Sequence, residues 1–291
     1  MLTGRKFVFL GGDARQLEVI RQVTEMDASA TLVGYDNLGE SFLDTQLMPM
    51  SENVLADADA VVLPVAGMDN DGKVDTRFAD EPLHLEPEHF AAMRPGTFVF
   101  SGIAGERLQS YCEEHQLRLV KLMELDEVAI LNSIPTAEGA IALAMQHTDI
   151  TIHGANVSVL GFGRCGKTLA RILSAMGANV KVSARDPANE ARIYEMGFTP
   201  ISSGELDGLL GQDDIIFNTI PHPVLTASVL ATVNKSCVVI DIASKPGGTD
   251  FRYAERRGIK AVLAPSLPGL VAPKTAGRII GNTICRLLAL E

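Results

Sequence analysis

Asn156-Val-Ser-Val-Leu-Gly161-Phe162-Gly163-Arg164-Cys165-Gly166-Lys-Thr168 is an apolar strand run that ends in Gly-x-Gly-x-x-Gly and passes into a helical pattern. Glycines at this spacing do three separate jobs. The first allows a tight turn, the second lets backbone approach a pyrophosphate, and the third lets the helix pack closely on the strand. The helix start adds amide N–H groups and the positive end of the helix dipole, both suited to phosphate. With a strand before it and a helix after it, the motif predicts a dinucleotide site built from Gly161, Phe162, Gly163, Arg164, Cys165 and Gly166. The alternative is a glycine turn that holds no ligand.

Working outward, the helix from Thr168 closes at Gly177, and a second strand follows from Asn179 to Ser183-Ala184-Arg185. NAD-binding units usually carry an acidic residue at the end of this strand, about 20 residues past the glycines, to hold the ribose 2′-hydroxyl. Here a hydroxyl and a guanidinium stand there instead, and Asp186 is followed by Pro187. Ser183, Ala184 and Arg185 therefore predict a 2′-phosphate and NADP rather than NAD. The alternative leaves Arg185 solvated and gives the ribose to Asp186. Further on, Thr219, Ile220 and Pro221 end another strand and are expected on the adenosine or pyrophosphate side. Ala243 is expected beside the nicotinamide.

The rest of the chain fits this frame. With 291 residues, 46% of them hydrophobic and 21% charged, it has the material for two ordinary domains and is not a disordered chain. A formal net charge of −11 argues against nucleic acid as a main partner. The cysteines, Cys112, Cys165, Cys237 and Cys285, are scattered without a CxxC pair, as expected of free thiols in a reducing cytoplasm. The N-terminus runs straight into a strand with no signal peptide, and by inspection no apolar run is expected to reach membrane-spanning length.

Strands and helical patterns alternate from Lys6 to the end, the pattern of parallel α/β sheets. The expected fold is α/β: two doubly wound Rossmann-like domains, separated by a cleft and joined by helices. The expected division is a substrate-side domain at 1–131, a hinge helix at 132–150, an NADP-binding domain at 151–274, and a helix at 275–291 that packs back on the first domain. Asn132-Ser133-Ile-Pro135-Thr136 is read as the start of the hinge helix, with Pro135 near its first turn.

Other positions bear on chemistry. Gly11-Gly12-Asp13-Ala14-Arg15 ends the first strand at a helix N-terminus. It lacks the third glycine, so Gly12, Asp13 and Arg15 are read as an anion site for a substrate carboxylate. The alternative is a tight turn with Asp13 as N-cap. Ser101 and Gly102 end another strand of that domain, and Asn132 and Ser133 precede the hinge; all four are candidates to line the substrate pocket. His222 and Lys245 are the candidate acid–base groups, against the alternative that each is an ordinary surface residue. No metal-ligand cluster and no Ser-His-Asp set is apparent.

Three phrases together carry a more specific signal: Asn132-Ser-Ile-Pro-Thr-Ala-Glu-Gly-Ala, Gly161-Phe-Gly-Arg-Cys-Gly-Lys-Thr-Leu-Ala and Leu267-Pro-Gly-Leu-Val-Ala-Pro-Lys-Thr-Ala-Gly. Over nearly its whole length the chain resembles the A-subunit family of dipicolinate synthase from spore-forming bacteria. The resemblance implies oxidation of dihydrodipicolinate to pyridine-2,6-dicarboxylate with NADP, in the mother-cell cytoplasm late in sporulation. It also implies a flavoprotein-like partner, the dipicolinate synthase B subunit. A homo-oligomer is expected as well. The competing readings are a 2-hydroxy or amino acid dehydrogenase, and a nucleotide-binding subunit without activity of its own.

Overall fold

The protein is described by a computed structural model covering residues 1–289; residues 290 and 291, expected in the last helix, lie outside the described residues. The chain forms two compact units: Met1–Leu131 with the segment from Ala272 onward, and Asn132–Val271.

The first unit runs β1 (Lys6–Leu10), α1 (Ala14–Glu25), β2 (Ser29–Val33), β3 (Thr45–Leu47), α2 (Glu52–Ala56), β4 (Ala60–Val62), β5 (Lys73–Val74), β6 (Leu83–His84), α3 (Pro87–Ala91), β7 (Phe98–Ser101), α4 (Glu106–Glu114) and β8 (Arg118–Lys121). Its six-stranded sheet has the order β3-β2-β1-β4-β7-β8, and every pair is parallel. Parallel strands covered on both faces read as continuous apolar runs, as Phe7–Leu10 and Phe98–Phe100 do. The β5–β6 hairpin is antiparallel and stands outside this sheet.

A 22-residue helix, α5 (Asp126–His147), carries the chain across the Leu131/Asn132 boundary. It corrects two expectations. The helix begins at Asp126, six residues before the expected hinge start, and Pro135 lies in its interior rather than its first turn. It is also long and apolar enough to cross a membrane, with mean hydropathy 1.4 over its best window. Reading the proline as a boundary cuts that apolar run in two. In the structure 44% of the window is buried, and Ala137, Ala140, Ile141 and Ala144 enter the core of the second unit.

The second unit continues β9 (Asn156–Leu160), α6 (Arg164–Ala175), β10 (Asn179–Ala184), α7 (Pro187–Glu195), β11 (Thr199–Ser202), β12 (Ile215–Asn218), α8 (Ala227–Thr232), β13 (Val238–Asp241), α9 (Phe251–Arg257), β14 (Lys260–Leu263) and α10 (Leu267–Val271). The sheet order β11-β10-β9-β12-β13-β14 repeats that of the first unit, again all parallel. The order reverses between β9 and β12, and in such sheets ligands bind beyond the carboxyl ends of the strands at that reversal.

The last helix, α11 (Pro273–Ala289), packs against α1 in the first unit. Two glycines make the approach close. A Cβ at Gly277 would come within 2.5 Å of the Arg15 carbonyl oxygen, and one at Gly281 would overlap the Gln22 side chain. Ile280, Ile284 and Leu288 then join the cluster of Phe7, Phe9, Val19 and Val23.

Candidate functional site

The turn after β9 is held from below by two hydroxyls. Gly161 has φ +100°, and a Cβ there would collide with the Thr219 hydroxyl. Thr219 Oγ1 donates to the Leu160 carbonyl at 2.8 Å, and the Gly161 N–H donates to Ser183 Oγ at 3.0 Å. At Gly166 a Cβ would overlap the Gly161 carbonyl oxygen, so α6 sits directly on the turn. At Gly163, by contrast, a Cβ would meet nothing within 4 Å. Among the described residues no side chain caps α6, as none caps α2 or α4, whereas α1, α7, α8 and α9 each have a capping side chain. A tight first glycine, an open second one and a third pressed on the strand are the features a pyrophosphate requires, and a dinucleotide fits this turn.

The turn opens on a cavity of about 580 Å³. Its walls are Gly161–Gly163, the β10 exit Ser183–Asp186 with Asn189, the β11 exit Ser203–Gly204, and Ile220 with His222–Val224. The cofactor residues expected from sequence divide here. Gly161, Phe162, Gly163, Ser183, Ala184, Arg185 and Ile220 line the cavity, whereas Arg164, Cys165, Gly166, Thr219, Pro221 and Ala243 are not part of its wall. Ser183 is fully buried, and its hydroxyl is taken up by Gly161 and by Ser203, which donates from 3.3 Å. Its part is to hold the turn, which corrects its placement at a 2′-phosphate. Asp186 caps α7, accepting from the Asn189 N–H at 3.0 Å and from the Asn189 side chain. These bonds hold its carboxyl below the usual carboxylate range. Arg185 is exposed and makes no hydrogen bond or ion pair among the described residues. Burial pushes the Cys165 thiol up, away from thiolate chemistry.

Beside the cavity lies a buried knot that sequence reading leaves without a role. Asp241, at the end of β13, is fully buried and accepts four hydrogen bonds: from Asn218 Nδ2 at 3.0 Å, the Ala243 N–H at 3.0 Å, the Gly248 N–H at 3.1 Å and Thr249 Oγ1 at 2.6 Å. Asn218 also bonds both backbone groups of Ile220, at 3.1 Å each. The two exit loops are therefore tied to one carboxylate, whose burial is offset by its donors. The available signal is position alone, since both residues close strands of the sheet. Ala243 belongs to this knot. Lys245 lies in the same loop, exposed and outside the cavity wall. His222 does line the cavity, together with Ile220 and Val224.

In the first unit the expected anion site is closed by the chain itself. The Gly12 N–H donates to the Asp75 carbonyl at 2.8 Å, the Asp13 N–H to Gln16 Oε1 at 3.2 Å, and the Arg15 N–H to Asp13 Oδ1 at 2.9 Å. Asp13 is the N-cap of α1, and its carboxylate takes the Arg15 guanidinium through Nε and Nη2, the latter at 2.6 Å. Burial raises the Asp13 pKa, but Arg15 outweighs it and the net shift is downward. The N-cap alternative is the one observed. Ser101 is buried and donates to the Ile103 carbonyl at 2.5 Å, and a Cβ on Gly102 would overlap Val65, so both are packed structure rather than pocket wall. Ser133, buried in α5, shares a 2.6 Å hydrogen bond with Thr168 of α6, and Asn132 accepts from Thr136 through its carbonyl at 2.8 Å. These two serve the second unit.

Comparison with known proteins adds the chemistry. Residues 6–123 match the N-terminal domain family of the dipicolinate synthase A subunit, and residues 136–244 match the D-isomer specific 2-hydroxyacid dehydrogenase NAD binding domain family. The chain is 48% identical to the dipicolinate synthase A subunit of Bacillus subtilis (strain 168), over 99% of this chain and 97% of that protein. The solved structure of the dipicolinate synthase A subunit from Bacillus halodurans superposes with a TM-score of 0.96 at 51% identity, covering 99% of both chains. A transhydrogenase from Sinorhizobium meliloti, at 16% identity and a TM-score of 0.67 over 98% of this chain and 94% of that one, shares the fold. The second unit is thus a nicotinamide-dinucleotide-binding domain of the dehydrogenase type.

Proposed function

Because the chain belongs to the A-subunit family of dipicolinate synthase, we propose that it oxidises dihydrodipicolinate to dipicolinate with NADP, acting with a B subunit. That the Bacillus subtilis relative is one subunit of a dipicolinate synthase supports both the product and the existence of a partner. The reading includes action in the mother-cell cytoplasm during sporulation and self-association of the chain. One observation supports the choice of NADP: at the end of β10 the guanidinium of Arg185 has no protein partner among the described residues, while the neighbouring carboxylate is consumed by the cap of α7.

NADP, when bound, would supply the acceptor for the hydride that the dihydropyridine ring loses. The protein's part is to hold and orient. Gly161 and Gly163 would hold the pyrophosphate and Arg185 the 2′-phosphate, while the Asp241 knot fixes the loop that bears Ala243 and Lys245. Loss of a proton completes aromatisation, and the gain in aromatic stability drives the step, so positioning supplies much of the catalysis. Lys245 is the proposed proton acceptor, either directly or through water.

The test is to mix the purified chain with dihydrodipicolinate and NADP+, with and without the B subunit. Appearance of dipicolinate and NADPH in equal amounts is the expected result. Nucleotide binding without turnover under either condition makes the chain a non-catalytic component. Turnover of a 2-hydroxy acid in place of the dihydropyridine makes it a dehydrogenase of the other class.

A further inference from the structure

We infer that His222 is a specificity residue for the phosphorylated ribose of the nucleotide, acting beside Arg185, and not an acid or base at the reacting ring. This rests on the NADP reading of the same cavity. The first observation is placement. His222 lines the same cavity as Arg185 and Ser203, and neither Ala243 nor Lys245 lines it. A general base must reach the proton it removes. Ala243 and Lys245, the residues proposed at the reacting ring, lie outside the cavity that His222 lines.

The second observation is that this loop histidine stands on a fixed backbone. Ile220 is held on both its N–H and its carbonyl by Asn218, and the Val224 N–H donates to the Gly248 carbonyl at 3.0 Å. A Cβ on Gly248 would come within 2.6 Å of the His222 and Ile220 carbonyl oxygens, so the loop is packed on that glycine. Gly248 is in turn bonded to Asp241. The imidazole therefore projects from a segment braced on both sides.

The third observation is the charge of the wall. Its ionisable side chains are Arg185, Asp186 and His222, and Asp186 is turned into the α7 cap. What remains is a guanidinium and an imidazole with no protein partner among the described residues. Two donors lining one cavity suit a phosphate monoester, which offers three acceptor oxygens.

The experiment measures dissociation constants for NADP+ and NAD+ on wild type, His222→Ala and His222→Gln, with KM and kcat alongside. In His222→Ala the NADP+ dissociation constant is expected to rise about five- to tenfold and the NAD+ constant less than twofold, with glutamine restoring part of the loss. The KM for NADP+ is expected to rise by more than kcat falls. Equal weakening of both nucleotides overturns the inference in favour of contact with the adenine. Unchanged binding with a lower kcat overturns it in favour of proton transfer. A wild type that binds both nucleotides equally removes the 2′-phosphate reading itself, and His222 with it; one that binds neither removes the nucleotide site altogether. Either result is distinguishable from failure of the His222 inference alone.

Discussion

Arg185 and Asp186 are adjacent at the end of β10, yet they face opposite tasks. The carboxylate commits its hydrogen bonds to Asn189, and the guanidinium has none within the described residues. A charge-assisted bond to phosphate contributes about 1.5–3 kcal/mol. Arg185→Ala should therefore weaken NADP+ binding roughly ten- to a hundredfold, with NAD+ changed less than twofold in the same titration. An equal loss of both would remove Arg185 from the 2′-phosphate. How far single residues were readable follows from the kind of constraint each one meets. The glycines of the turn answer to local backbone geometry, and the motif spacing states that geometry. Ser183 answers to depth: its hydroxyl lies under Gly161, 22 residues earlier in the chain. Gly12 answers to a segment more than sixty positions away, since Asp75 takes its N–H. No local pattern announces either contact, and Asp241 has no sequence-level role for the same reason.

At the level of elements, α1 offers a direct measure of what its cap contributes. Asp13 accepts from the first turn and also neutralises Arg15, both in a partly buried setting. Removing such a cap costs about 1–2 kcal/mol. Asp13→Ala should lower the melting temperature of the first unit by about 2–8 °C at neutral pH. The sign of its pH dependence follows from the depressed pKa of Asp13. Its stabilisation is present above the unfolded value near 4 and is lost as pH falls through the lower folded value, so the gap between variant and wild type should narrow as pH falls below about 4. A gap that does not narrow at any pH below about 4 at which the protein still folds would remove the charge from the account. Element identity was readable wherever burial imposed a period or a continuous apolar run, as in β1, β7, β9 and β12. It failed for β3, β5 and β6, which have two or three residues each and carry too little pattern to register. It also failed at α5, where Pro135 looks like a beginning. A proline inside a helix costs about 3 kcal/mol; here the helix continues past it, with Ala137, Ala140, Ile141 and Ala144 buried beyond. Packing outweighs propensity, and packing is not visible in one segment.

For the molecule as a whole, each unit carries its own means of folding. The first has two hydrophobic clusters, one around Phe7, Phe9 and Ile284 and one around Val8, Leu63 and Phe90. The second has clusters around Val159, Leu169 and Phe217 and around Ile216, Leu230 and Val239. Each unit also has a complete six-stranded sheet with the same strand order. Doubling of this kind does not double the binding sites. The glycine turn of the second unit stands open at Gly163, while the corresponding turn of the first is covered by the segment at Asp75 and Thr76. Nucleotide should therefore stabilise one unit and leave the other unaffected. At a hundred times its dissociation constant a ligand adds about 2.7 kcal/mol to the state that binds it, which for a unit of this size corresponds to about 5–10 °C. Differential scanning calorimetry should resolve two transitions, of which NADP+ raises one. Asp13→Ala should lower the other and leave the NADP+-sensitive one in place, so the two perturbations assign the transitions independently. If nucleotide and Asp13→Ala move a single common transition, the units unfold together and the separate cores do not act separately. If nucleotide raises both of two resolved transitions, the first unit also binds it, and the covered turn at Gly12 is no barrier to the ligand.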